Sequence, residues 1–154
     1  MTAPPSPPTS TAPRPAPQPR SVFRHFSSIS TRWMDNDAYG HINNVVYYSY
    51  FDTVVNRYLI EAGVLDVARS PVIGLVVETH CNYFASLAFP QTVDAGLRVA
   101  HLGASSVRYE IGLYGAGEAL TAACGHFVHV YVDRETRRPA ALPSALIHTL
   151  QGLL

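Results

Sequence analysis

The stretch Asp35-Asn36-Asp37-Ala38-Tyr39-Gly40-His41-Ile42-Asn43-Asn44 gathers two carboxylates, an imidazole and several amides around one glycine. It runs straight into a long apolar segment, Val45 to Ala62, that reads as a helix. A helix N-terminus presents unpaired N–H groups and a partial positive charge, so it can hold and polarise a carbonyl or an anion. A carboxylate beside a polarised carbonyl is the minimum equipment for splitting an ester or a thioester.

Within this stretch Asp37 reads either as a turn or helix-cap aspartate or as the reacting carboxylate. Asp35, two residues earlier, faces away if the local chain is extended, and is expected to be solvated or paired with an arginine such as Arg32. His41 is placed either to shape the loop or to meet substrate. Asn43 and Asn44 are candidate helix caps. Tyr47 and Phe51 lie one and two turns into the helix, where they line an acyl pocket or pack the core. Glu78, on a β-rich segment, reads either as a second acid/base or as a surface or strand-end carboxylate.

Other chemistries lack their residues. The chain has no lysine, which removes Schiff-base chemistry and lysine-dependent phosphate loops. His126 and His129 are three apart in an expected strand, so they point to opposite faces and do not jointly hold a metal. No His-Glu-x-x-His or Cys-x-x-Cys pattern exists, and neither a catalytic metal nor a cofactor is expected. Gly115-Ala116-Gly117 reads as a hairpin turn.

The elements that position these residues follow from patterning. Ser21 to Trp33 suggests a first strand, with Phe23, His25, Ser27, Ile29, Thr31 and Trp33 on one face. The helix over 45–62 is apolar around much of its circumference, as a buried helix is. Leu75 to Ala85, Thr92 to Leu102, Val107 to Tyr114 and Thr121 to Asp133 then read as four successive strands, and Pro143 to Leu154 as a short helix. One strand, one buried helix and an antiparallel run is an α+β pattern of about five strands wrapped around one long central helix.

At 154 residues with 47% hydrophobic and 14% charged content, the chain supports one globular domain. Zero formal net charge argues against nucleic acid or an acidic membrane surface as partner. Cys81 and Cys124 read as buried thiols of a reduced, cytoplasmic compartment, and no segment is apolar enough to span a membrane. Residues 1–20 hold eight of the twelve prolines and read as a disordered tail, leaving 21–154 as the domain.

The motif Asp-x-Asp-Ala-x-Gly-His-x-Asn-Asn, followed by an aromatic-rich helix, resembles the hotdog-fold thioesterases of the 4-hydroxybenzoyl-CoA thioesterase type. The likeness extends through Glu78-x-x-Cys81-x-Tyr83, Leu87-x-Phe89-Pro90, Val99-x-x-Leu102-Gly103-x-Ser105-Ser106, Val130-x-Val132-Asp133, Arg138-Pro139 and Leu142-Pro143. It implies an acyl-CoA thioesterase of hotdog fold that releases a free acid and coenzyme A. Asp37 would act on the thioester carbonyl as nucleophile or as base for water, and the Asn44 N–H would polarise that carbonyl. Gly40, His41, Asn43 and Tyr47 become substrate-binding candidates, with Gly103, Ser105 and Ser106 approaching the pantetheine arm. Arg98, Arg108, Arg134, Arg137 and Arg138 form the pool for the coenzyme A phosphates.

The resemblance also implies a homodimer or a dimer of dimers, with each active site at the shared interface. Aromatic-type members often differ over Gly40-His41-Ile42-Asn43-Asn44, so aromatic specificity does not carry over. Two rivals remain. An enoyl-CoA hydratase of the same fold would use Asp37 and His41 as an acid/base pair, but its usual Asp-x-Asn-Pro-x-His pattern is missing. A non-catalytic acyl-binding module would have no need of a carboxylate at that position.

Overall fold

The sheet has a short β1 (His25–Ser30) and four long strands, β2 (Val72–Tyr83), β3 (Thr92–Leu102), β4 (Ser106–Gly115) and β5 (Ala123–Asp133). The computed structural model describes residues 13–154. All pairings are antiparallel and the strand order is β1-β3-β4-β5-β2. The one long helix, α1 (Val46–Glu61), lies on one face, and a short α2 (Ser144–Gln151) follows β5. This is the hotdog arrangement, with the helix at its centre.

α1 is seated by Tyr47, Tyr50, Phe51, Val54, Val55 and Leu59, all buried and spaced three and four apart along one face. They meet Leu97, Val99, Tyr109, Ile111 and Phe127 in a single core. Each such aliphatic or phenyl side chain contributes about 2 kcal/mol by leaving water. Ser49, Asp52 and Thr53 stay exposed, so the helix is wrapped on one side rather than all round.

Several expected boundaries move. β1 is shorter than the 21–33 segment because 3-10 turns flank it at Arg20–Val22 and Trp33–Asp35. The second turn is closed by the Asp35 carboxylate, which accepts the Arg32 backbone N–H at 2.8 Å. β2 begins three residues earlier than expected, since Val72 pairs with Asp133 and Ile73 with Val132. Its register breaks at a bulge between Val76 and Glu78.

Of the proline-rich segment, residues 1–12 lie outside the described residues, whereas its last residues are held by the sheet. The Gln18 N–H donates to the Thr121 hydroxyl at 2.8 Å, and the Thr121 N–H donates to the Gln18 carbonyl at 3.0 Å. Arg20 pairs with Asp94 at 2.7 Å and lies over the Tyr114 ring.

Among the described residues no helix is long and apolar enough to cross a membrane. β1 and β2 are the two edges of the sheet. The β2 edge is apolar and open, with Leu75, Val76 and Val77 at 38, 46 and 62% exposure.

Candidate active site

The ten-residue stretch forms a loop stitched to its neighbours by backbone groups. Asn43 N–H donates to the Asp35 carbonyl at 2.8 Å, and Ile42 N–H to the Leu87 carbonyl at 2.8 Å. The Asn36 side-chain oxygen accepts the Phe89 N–H at 3.0 Å. The loop is therefore fixed to both its own start and the 84–90 segment. Gly40 takes φ +82°, a left-handed conformation that a side chain disfavours, and this lets the chain double back so that Asp37 N–H reaches the His41 carbonyl at 2.7 Å.

Asp37 is half-buried. Its Oδ1 accepts the Tyr39 N–H at 2.8 Å and the His41 N–H at 3.3 Å, while Oδ2 has no protein donor among the described residues. One oxygen is thus oriented by backbone amides and the other is free. The loop enters α1 without a side-chain cap on the helix itself. Asn43 Oδ1 accepts the Val45 N–H at 3.2 Å, which satisfies one orphan donor. The Asn44 N–H has no protein acceptor among the described residues. Tyr83, at the end of β2, donates its hydroxyl to the Asn44 carbonyl at 2.8 Å and so fixes the peptide that begins the helix.

Asp37, His41, Ile42, Asn44 and Tyr47 line one wall of an open cleft of about 360 Å³, and Tyr83 to Ser86 line the other. Asp37 and Asn44, whose Oδ2 and N–H have no protein partner among the described residues, both line this cleft. Together they can hold a carbonyl and deliver an anion or a base to it. Burial pushes the Tyr47 hydroxyl upward, so the ring presents a neutral phenol, edge-on to Tyr83 at 4.9 Å between centroids.

Asp35 is the structural partner. It is 1% exposed, accepts the Tyr50 hydroxyl at 2.7 Å, and pairs with Arg32 at 3.0 Å. Burial alone would raise its carboxyl. The bonds from Tyr50, the Arg32 N–H and the Arg32 guanidinium outweigh that and hold it below the usual carboxylate value. Of its two sequence readings, pairing with Arg32 is the one found.

The other expected residues divide by position. His41 and Tyr47 line the cleft with Asp37, whereas Gly40 and Asn43 belong to the same loop without lining it. The Gly103, Ser105 and Ser106 turn sits at the far end of β3, whose first residue Thr92 pairs with Ser30 beside the loop. Eleven residues of strand separate the two ends, roughly 30 Å. That turn is occupied with structural bonds: Gly103 N–H to the Ser106 carbonyl, and Tyr131 N–H to the Ser105 carbonyl. Phe51 is fully buried in the core rather than at the cleft.

Of the arginine pool, Arg98 and Arg108 pair with Glu110 on the face away from α1, where His126 also bonds Glu78 at 2.7 Å. Arg134 donates to the Ser70 and Val67 carbonyls. His126 and His129 do point to opposite faces, the first half-buried and the second buried at 3%. Among the described residues no three His, Cys, Asp or Glu side chains are grouped to hold a metal ion. Tyr83 and the 84–86 wall were not anticipated from sequence. Cys81-x-Tyr83 figured only in the family likeness, and nothing in it signalled the contact with residue 44.

Residues 31–150 match the family model of the thioesterase-like superfamily. The PA5185 protein of Pseudomonas aeruginosa strain PAO1 is 54% identical to this chain, with 90% of this chain and 96% of that one covered and a TM-score of 0.88. A thioesterase of Thermus thermophilus, solved in complex with coenzyme A and zinc, is 30% identical, with 86% and 95% coverage and a TM-score of 0.71. The YsmA protein of Bacillus subtilis strain 168 is 23% identical over 137 residues, 84% of this chain and 90% of that protein.

Proposed function

The chain belongs to the thioesterase-like superfamily and is a thioester hydrolase; we propose that its substrate is an acyl-CoA and that Asp37 carries the reaction. The observation that supports this most is the cleft that Asp37 and Asn44 both line, where among the described residues neither the Asp37 Oδ2 nor the Asn44 N–H has a protein partner. Asp37 attacks the thioester carbonyl, or takes a proton from the water that does. The oxyanion that forms is held by the Asn44 N–H and the positive end of the helix. Collapse of the tetrahedral species breaks the C–S bond and releases coenzyme A as the thiol. Where Asp37 attacks directly, water then hydrolyses the acyl anhydride. Gly40 and Asn43 shape the binding wall, and His41 and Tyr47 contact the substrate.

The active unit in this reading is a homodimer. The open apolar edge of β2 is a template for a second copy. Two-fold pairing along β2 would set the Tyr83 end of one strand against the Val72 end of its partner. The Gly103–Ser106 turn of one protomer would thereby approach the Asp37 cleft of the other, within reach of a pantetheine arm. Two free thiols, Cys81 and Cys124, fit a cytoplasmic setting.

The test is thiol release from short, medium, long and aromatic acyl-CoAs, with enoyl-CoA hydration measured on the same protein. Hydrolysis with no hydration supports this reading. Hydration without thiol release would make the protein a hydratase, and neither activity would leave an acyl-binding module. Light scattering at micromolar concentration tests the dimer, and a monomer would overturn the shared site.

A further inference from the structure

An open groove of about 600 Å³ lies where β2 and β4 end and β3 and β5 begin. One wall is residues 84–91, and the other is the 115–122 segment that joins β4 to β5. Pro17 completes the second wall. That proline belongs to an N-terminal strap outside the 31–150 stretch matched to the thioesterase-like superfamily. The strap is held there by the two Gln18–Thr121 bonds and by Arg20, whose Nε donates to the Glu118 carbonyl at 2.7 Å.

The first wall is fixed by a single acceptor. The Ala122 carbonyl takes the Phe84 N–H at 2.8 Å and the Ala85 N–H at 3.0 Å, with Leu87 buried beside them. Phe84, Ala85 and Ser86 line this groove and the Asp37 cleft alike. Three residues thus separate the two hollows, and the exposed ones, Ala85 and Ser86, have short side chains. They form a low sill.

The lining decides the kind of ligand. Pro17, Phe84, Leu87 and Leu120 are apolar, and Leu120 is 54% exposed, so a bound hydrocarbon would take its surface out of water. Among the described residues Glu118 is the one ionisable group in the lining, and its negative charge repels the phosphates of coenzyme A. The volume is that of a small-ligand site. The groove therefore suits the uncharged part of an acyl-CoA.

We propose that this groove takes the distal part of a medium- or long-chain acyl group held at the Asp37 cleft, the chain crossing Ala85 and Ser86, and that the N-terminal strap thereby selects for chain length. The inference rests on the thioesterase reading above. It needs no second protomer, because cleft, sill, groove and strap belong to one chain. A short acyl group ends at the sill and gains nothing from the groove. Each methylene beyond it that leaves water is worth up to about fourfold in binding, and that gain appears in kcat/KM.

The test measures kcat/KM for butyryl-CoA and dodecanoyl-CoA in the wild type, Leu120→Asp, Pro17→Asp and Leu120→Met. The readout is the dodecanoyl-to-butyryl ratio within each protein, which cancels the folded fraction and any repulsion of coenzyme A by the new charge. Wild type is expected to favour dodecanoyl-CoA by at least about tenfold. Both aspartate variants, one on each element of the second wall, are expected to lower the ratio at least about tenfold, and Leu120→Met to keep it. A wild type without the preference, or an unchanged ratio in either aspartate variant, overturns the inference. Should the wild type hydrolyse no acyl-CoA, the thioesterase reading fails separately. The two intact acyl-CoAs then serve as calorimetric probes, and a Kd ratio that the aspartate variants leave unchanged overturns the groove as well.

Discussion

The Tyr50 hydroxyl donates to Asp35 across 2.7 Å, and this buried bond separates the roles of two aspartates only two residues apart. Asp35 points into the core and holds the turn to α1, while Asp37 lines the cleft with one carboxylate oxygen that no protein donor meets among the described residues.

Asp35→Asn and Tyr50→Phe are therefore expected to act on stability. Either change leaves a buried polar group short of a partner, at a cost of about 1–3 kcal/mol. The Arg32 side of the pair is exposed and adds little to that. Urea unfolding of both variants and of the double variant checks this. Additive losses would show that the 2.7 Å bond carries no coupling.

Tyr83→Phe removes the bond to the Asn44 carbonyl while keeping the ring. Tyr83 is 44% exposed, so little change in melting temperature is expected. The loosened peptide orients the Asn44 N–H less well, and kcat is expected to fall about three- to tenfold, the kinetic equivalent of one hydrogen bond of about 1 kcal/mol. Unchanged turnover would remove Tyr83 from the site.

The tail prediction follows from Arg20, whose guanidinium joins Asp94 and the Tyr114 ring. Removing residues 1–20 is expected to lower stability by roughly 1–3 kcal/mol, of which Arg20→Ala accounts for about half. Thermal unfolding of the truncated chain beside Arg20→Ala measures both, and no shift in either would mean these contacts contribute nothing.

His129 makes stability depend on pH in a defined window. Its ordinary value is 6.5 and burial lowers it to about 4 in the fold, so between these values the unfolded chain binds a proton that the folded one refuses. Stability therefore falls as pH drops through that window, by about 2 kcal/mol between pH 7 and pH 5. Urea unfolding at the two pH values measures the slope. His129→Phe is expected to flatten it by that amount, and equal slopes would show that the imidazole is solvated.

Much of this was legible from local pattern. The Asp37 turn, the glycine at position 40 and the helix after it depend on residues near each other in the chain, and the 107–114 strand declared itself by alternation. What stayed hidden depends on contacts across distance. Asp35 is buried because Tyr50 meets it from the second turn of α1. Tyr83 reaches Asn44 across 39 residues, and Arg20 is tied down by Asp94 across 74. Alternation set His126 and His129 on opposite faces but did not say that His129 is the buried one. Composition made residues 1–20 one segment, although its last three meet the sheet.

Asp37→Asn is the decisive substitution. It preserves side-chain size and leaves an oxygen to accept the Tyr39 and His41 N–H groups, so the loop is expected to keep its shape. It replaces the free carboxylate oxygen by an amide nitrogen, which neither attacks a carbonyl nor accepts a proton at neutral pH. Turnover of the best acyl-CoA is expected to fall at least about a hundredfold, with melting temperature and coenzyme A binding nearly unchanged. Asp35→Asn is expected to show the opposite pattern, losing stability first. If Asp37→Asn hydrolyses its substrate within a few-fold of the wild type, then Asp37 only shapes the turn and the cleft's carboxylate is not the reacting group.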